Sequence, residues 1–84
     1  MKSKDGRYEV RYWRWHVNNH DMSTDSLEEA LYRALALDDE FDEGYHGISF
    51  IYDTETKRCA RVGNGALRDK EHSTDSLEWK EATQ

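Results

Sequence analysis

Gly47-Ile48-Ser49-Phe50-Ile51-Tyr52-Asp53, followed by Thr54-Glu55-Thr56-Lys57 and then Arg58-Cys59-Ala60-Arg61-Val62, is the stretch from which the architecture of this chain can be built. The first segment is dense in aromatic and β-branched side chains and reads as a strand. Asp53 to Lys57 reads as a polar turn, and Arg58 to Val62 as a short second strand that completes a hairpin before Gly63-Asn64-Gly65. Side chains alternate between the faces of a strand, so Ile48, Phe50 and Tyr52 are assigned to the core face.

Upstream of the hairpin lies an amphipathic helix. Leu27, Ala30, Leu31, Ala34 and Leu35 recur at helical spacing and form one apolar stripe. Ser23-Thr24-Asp25-Ser26 supplies capping oxygens before it, with two possible capping boxes, Asp25 with Glu28 and Ser26 with Glu29. The helix is expected to fade near residues 38 to 43, where Asp38, Asp39, Glu40, Asp42 and Glu43 surround Phe41. A carboxylate in a last helical turn opposes the helix dipole at about 0.3–1 kcal/mol each, so that run either ends the helix or serves a partner.

Tyr8-Glu9-Val10-Arg11-Tyr12-Trp13-Arg14-Trp15-His16-Val17 reads as another strand, and Asn18 to Met22 as the turn after it. The expected class is α+β: a single helix on a three-stranded, mainly antiparallel sheet in the order strand, helix, strand, strand. Residues 1–70 form the domain and 71–84 a tail, either flexible or a short helix from Ser73. With Leu27, Leu31 and Leu35 over Val10, Tyr12, Ile48, Phe50 and Tyr52, the other sheet face keeps Trp13, Trp15, Val17, Ile51, Arg11 and Arg61. Leu77 and Trp79 of the tail, or another molecule, are needed to cover it.

Composition narrows the function. The 84 residues carry a net charge of −6, with 36% charged and 36% hydrophobic side chains, no proline and a single cysteine, Cys59. A chain of this size buries only about 60% of its unfolded surface, which leaves little room for a large active-site cavity. One cysteine forms no internal disulfide, and no apolar run has the length of a signal peptide or a membrane span, so a cytoplasmic location is expected. The charge is segregated. Residues 1–18 hold five Lys/Arg against two acids, 19–56 one against eleven, 57–70 five against one, and 71–84 one against four. Alternating blocks imply a folded molecule with one acidic and one basic side.

Ser23-Thr24-Asp25-Ser26-Leu27-Glu28 recurs unchanged as Ser73-Thr74-Asp75-Ser76-Leu77-Glu78. Its capping chemistry predicts a helix start at both copies; the sharper alternative is a tail that competes for the docking place of the first copy or pairs in a swapped dimer.

The residues that could carry chemistry lack the settings it requires. His16 and His20 span a strand end and a turn with no further ligand cluster, and the 38–43 run lacks the ligand spacing of a calcium loop. Cys59 has no partner base placed by the sequence, and Gly63-Asn64-Gly65-Ala66 lacks the lysine and serine or threonine of a phosphate loop. No cofactor or metal is expected, and an enzyme is the least supported class.

The opening Tyr8-Glu9-Val10-Arg11-Tyr12-Trp13-Arg14, followed by Asp25-Ser26-Leu27-Glu28-Glu29-Ala30, resembles short uncharacterised proteins of actinobacteria and their bacteriophages. The resemblance covers about the first half of the chain. It implies a phage or mobile-element setting in which small proteins bind and modify host proteins, and it transfers no site residue.

The expected function is non-enzymatic binding of a macromolecule, a protein first. Two surfaces are candidates: the sheet face with Arg11, Trp13, Trp15 and Arg61, and the acidic helix end with Asp38, Asp39, Glu40, Asp42 and Glu43. The first is also a candidate homodimer interface, and the second a candidate electrostatic mimic that inhibits a nucleic-acid-binding host protein. Interleaved arginines and aromatics keep single-stranded nucleic acid on the sheet face as the alternative. No membrane or small-molecule substrate is expected.

Overall fold

The computed structural model describes residues 6–14, 17–41, 47–63 and 73–81. These residues make an α+β fold with a five-stranded sheet where three strands were expected. The strands are β1 (Tyr8–Arg14), β2 (Val17–Thr24), β3 (Gly47–Asp53), β4 (Arg58–Arg61) and β5 (Trp79–Glu81), and the helix α1 (Leu27–Phe41) crosses one face. The sheet order is β2-β1-β3-β4-β5, and every neighbouring pair is antiparallel.

β2 replaces the expected turn over Asn18 to Met22. Its asparagines and histidine are poor strand formers, but β2 is an edge strand paired on one side alone, and Asn18 and His20 are exposed. A bulge adapts it to the helix. Val10 stands opposite Met22 while Arg11 stands opposite His20, so Asp21 is the extra residue. Asp21 accepts both arms of the Arg33 guanidinium from α1, Nε at 2.7 Å and Nη2 at 3.1 Å, while its neighbour Met22 packs on the core.

Ser26 caps α1 by accepting the Glu29 amide at 3.1 Å. The Glu29 carboxylate accepts the Thr24 hydroxyl at 2.6 Å, and Thr24 in turn accepts the Ser26 amide at 3.1 Å, so the box closes through Thr24. Asp25, the other candidate cap, accepts the Arg7 amide instead. The apolar stripe packs as expected: Ala30, Leu31, Ala34 and also Leu37 are buried, with Leu27 and Leu35 half-buried against them. The helix runs through Asp38, Asp39 and Glu40 to Phe41, ending within the 38 to 43 stretch where it is expected to fade, with no basic residue in its last turn.

The face assignment of β3 is reversed. Val10, Ile51 and Ala60 align across β1, β3 and β4 and are fully buried beneath α1, so Ser49, Ile51 and Asp53 face the helix layer. Ile48, Phe50 and Tyr52 take the opposite face. The polar members of the buried row are satisfied: the Ser49 hydroxyl donates to the Ala34 carbonyl at 2.9 Å, and the Asp53 carboxylate receives the Arg7 fork. A small side chain at position 49 lets the helix backbone come that close. The four-residue turn Thr54 to Lys57 is as expected, with Lys57 in the left-handed region at φ 61°.

After β4 the Val62 and Gly63 amides both donate to the Ser49 carbonyl at 2.9 Å. A Cβ on Gly63 would stand 2.8 Å from the Ser49 nitrogen and 2.9 Å from Asp38 Oδ1. Gly63→Ala is therefore expected to destabilise the protein by about 1–3 kcal/mol through overpacking. Urea denaturation checks it, and an unchanged midpoint would show that the backbone there moves aside freely.

The second hexapeptide copy does not start an α-helix. Ser73 caps a single 3-10 turn over Thr74–Ser76, accepting the Asp75 amide at 3.2 Å, and the chain then extends into β5, with Trp79 opposite Ala60 and Lys80 opposite Cys59. The same six residues thus adopt two structures. A helix nucleus is costly and survives here only where an apolar stripe continues beyond it, as after Leu27 but not after Leu77. In both copies the leucine reaches the same core, Leu77 buried and Leu27 at its margin.

Candidate functional site

The face of the sheet opposite α1 gathers the residues left over by that core. Alternation along β1 places Glu9, Arg11 and Trp13 there, and cross-strand register adds the rest. Trp13 stands opposite Ile48, Arg11 opposite Phe50, Glu9 opposite Tyr52, Phe50 opposite Arg61, and Tyr52 opposite Cys59, which pairs with Lys80. Among the described residues no helix lies on this side. Leu77 and Trp79, expected to cover it, join the helix layer instead, where Trp79 meets Tyr8 with ring centroids 6.3 Å apart. Ile51 is in the core, and Val17, opposite Arg14 in β2, falls on the other face from Trp13.

A hollow of about 280 Å³ opens on this face, lined by Trp13, Ile48, Phe50, Cys59 and Arg61. Phe50 is 9% exposed yet lies outside the helix-side core cluster, whereas Trp13 is 47% exposed. The hollow is therefore apolar below, with a large aromatic surface open to solvent beside it. Burial pushes the Cys59 thiol above its ordinary pKa, opposed by the nearby Lys80 charge. A thiol that stays protonated at neutral pH lines the hollow as a small apolar group and is a poor nucleophile.

The arginines differ. Arg11 donates to Glu9 Oε1 at 2.7 Å and to Asn18 Oδ1 at 2.8 Å, so its charge is compensated and its fork is held. Arg61 is exposed and, among the described residues, has no hydrogen-bond or ion-pair partner. Three predicted residues, Arg11, Trp13 and Arg61, thus share one face, while Trp15 lies outside the described residues. Compared with known proteins, the chain matches no family model, no curated sequence and no solved structure. The site is accordingly read from its own chemistry.

The acidic candidates belong to the other layer. Asp38 is half-buried, with Oδ1 close to Gly63, while Asp39 and Glu40 are exposed and Glu40 lies 3.9 Å from Arg33. Asp42 and Glu43 lie outside the described residues, as does His16. His20 Nε2 meets Ser23 Oγ at 2.8 Å on the β2 edge, but among the described residues no carboxylate bonds the ring to orient it as a base. Among the described residues no three His, Cys, Asp or Glu side chains group around a metal position, and no helix is long and apolar enough to cross a membrane.

Phe50, Ile48 and Cys59 are the site residues that the sequence reading missed. A usable signal was present in the turn. With four residues between β3 and β4, position 58 pairs with 53 and position 61 with 50, so Arg61 must share a face with Phe50 and not with Ile51.

Proposed function

We propose that this chain is a non-enzymatic protein-binding module that docks its partner on the open sheet face, with Trp13 as anchor. The observation that carries this reading is the half-exposed Trp13 beside an apolar hollow that holds Phe50. Tryptophan and arginine dominate the energetics of protein interfaces, and a pocket next to such an anchor is where their contribution concentrates. In the mobile-element setting implied by the N-terminal resemblance, the partner is a host protein.

Nucleic acid is the weaker occupant of this face. Single-strand binders track the backbone with a groove of available cations, whereas Arg11 is already neutralised by Glu9 and the whole chain carries −6. The acidic-mimic reading is weaker too, because Asp38 is turned toward Gly63 and contributes little to an outward patch.

Affinity capture from a host lysate with wild type and Trp13→Ala tests the proposal. The variant is expected to bind the partner at least tenfold more weakly while keeping its thermal midpoint within a few degrees, since Trp13 lies outside the core. A partner retained by Trp13→Ala but lost on neutralising Asp39 and Glu40 would move the site to the end of α1.

A further inference from the structure

We infer that the hollow on the open face is a recognition pocket for an acidic peptide segment: one large apolar side chain seats between Trp13 and Phe50, and flanking carboxylates pair with Arg61 and Lys80. This rests on the docking reading above and names the chemistry of the partner.

Size is the first argument. About 280 Å³ falls just below the roughly 300–1,000 Å³ of small-molecule pockets, which fits a single side chain delivered by a longer chain. The lining is the second, because aromatic and aliphatic groups meet there with no carboxylate among them. Charge is the third and gives the orientation. On the β1 side the cation, Arg11, is held by Glu9; on the β4–β5 side Arg61 and Lys80 are exposed and, among the described residues, have no hydrogen-bond or ion-pair partner. Free positive charge therefore flanks one side of an apolar hollow.

Spacing agrees. Neighbouring strands lie about 4.8 Å apart, so β4 and β5 stand roughly 5 and 10 Å from the strand of Phe50. An extended peptide advances about 3.3 Å per residue, so the residues next to an apolar anchor reach both cations. A second copy meeting this face with its own face offers nothing equivalent. Among the described strand residues there, the carboxylate is Glu9, which Arg11 already holds.

The test is a titration of the full chain, isotopically labelled for amide and indole NMR signals, with short capped peptides. One has phenylalanine between two aspartates followed by glutamate; a second replaces the phenylalanine with alanine, and a third replaces the acids with lysines. The first is expected to shift the Trp13 indole and the Phe50 and Cys59 amides, with affinity falling at least tenfold for either control peptide. Arg61→Glu is expected to weaken the first peptide at least tenfold with an unchanged thermal midpoint, because Arg61 is exposed and partnerless among the described residues. Equal affinity for the lysine peptide, or an Arg61→Glu protein that binds as wild type, would overturn the assignment. So would tighter binding of oligothymidylate with the same shifts, or Trp13-dependent self-association by sedimentation. If the peptides fail while Trp13-dependent capture of a protein persists, the docking face stands and the acidic-peptide chemistry falls. Capture unaffected by Trp13→Ala removes the face itself.

Discussion

Ile51→Ala is expected to cost about 3–4 kcal/mol, and Ile48→Ala, three residues earlier on the same strand but on its other face, less than about 1.5 kcal/mol. Ile51 is fully buried between Val10 and Ala60 in the row that lies beneath α1. Its surroundings cannot collapse easily, because Ala30, Ala34 and Ala60 are already small and the sheet backbone on either side is tied into hydrogen-bonded ladders. The removed methyls thus leave a cavity on top of the lost transfer energy. Ile48 is half-buried beside the open hollow, where water replaces whatever is cut away. A small domain holds about 5–15 kcal/mol in total, so the first substitution removes a large share of its stability and the second a minor one. Urea denaturation of the two variants side by side measures the difference, and a larger cost at Ile48 than at Ile51 would place the core on the face that simple alternation assigns to it.

The reason alternation went astray lies in the residues of β3. Ser49 and Asp53 are polar and Ile48, Phe50 and Tyr52 are apolar, so the hydrophobic pattern of β3 favours the wrong face. Burial of Ser49 and Asp53 is tolerated because each finds a partner far away in sequence, the Ala34 carbonyl and the Arg7 guanidinium. Such long-range satisfaction is invisible in a local window. By contrast α1 was legible from its stripe and the β3–β4 hairpin from its turn, since both are local. β2 was hidden because an edge strand with one exposed face accepts Asn18 and His20 without help from propensity. β5 was hidden because six residues identical to a working helix start precede it, and only the absence of a following apolar stripe separates the two outcomes. Of the site, Arg11, Trp13 and Arg61 are legible as residue types, but their pocket is not, because the apolar alternation of β3 assigns Ile48 and Phe50 to the core face.

The alternating charge blocks also acquire a structural meaning. The first basic block meets the acidic one where Arg7 pairs with Asp53 and Glu55, while Arg33, the one cation of the acidic block, pairs within it with Asp21 and Glu40. Among the described residues, those left without a hydrogen-bond or ion-pair partner include Arg61 and Lys80 on the open face and Asp39 on the helix. Exposed pairs among these contribute little individually. The Arg7–Asp53 fork is different because its acid is buried.

Asp53→Asn is accordingly expected to lower stability by about 2–3 kcal/mol at neutral pH and to remove most of the acid sensitivity that this site confers. Asp53 is 5% exposed and accepts Arg7 Nε and Nη2, each at 3.0 Å, together with the Glu55 amide at 2.9 Å. Asparagine keeps the oxygen that holds the turn amide but loses the charge, so the difference reports on the ion pair. Arg7 is itself partly exposed and can turn to water, which keeps the loss below that of a wholly buried pair. The Arg7 hydrogen bond, then the Glu55 and Thr56 amides and the Arg7 charge, hold the Asp53 carboxyl below its ordinary value, against the opposing effect of burial. A group whose folded pKa is depressed binds protons more readily when unfolded, so its contribution is complete above the unfolded value of about 3.9. It is lost as pH falls from there through the lower folded value. Arg7 is shifted upward and stays charged throughout, so the carboxyl alone sets this window. Urea midpoints at pH 7, 5 and 3 should show wild type ahead of Asp53→Asn by a gap that is constant down to about pH 5 and shrinks below pH 4. A gap that persists undiminished well below the folded pKa would mean that Asp53 acts through packing and turn geometry, with the charge contributing nothing.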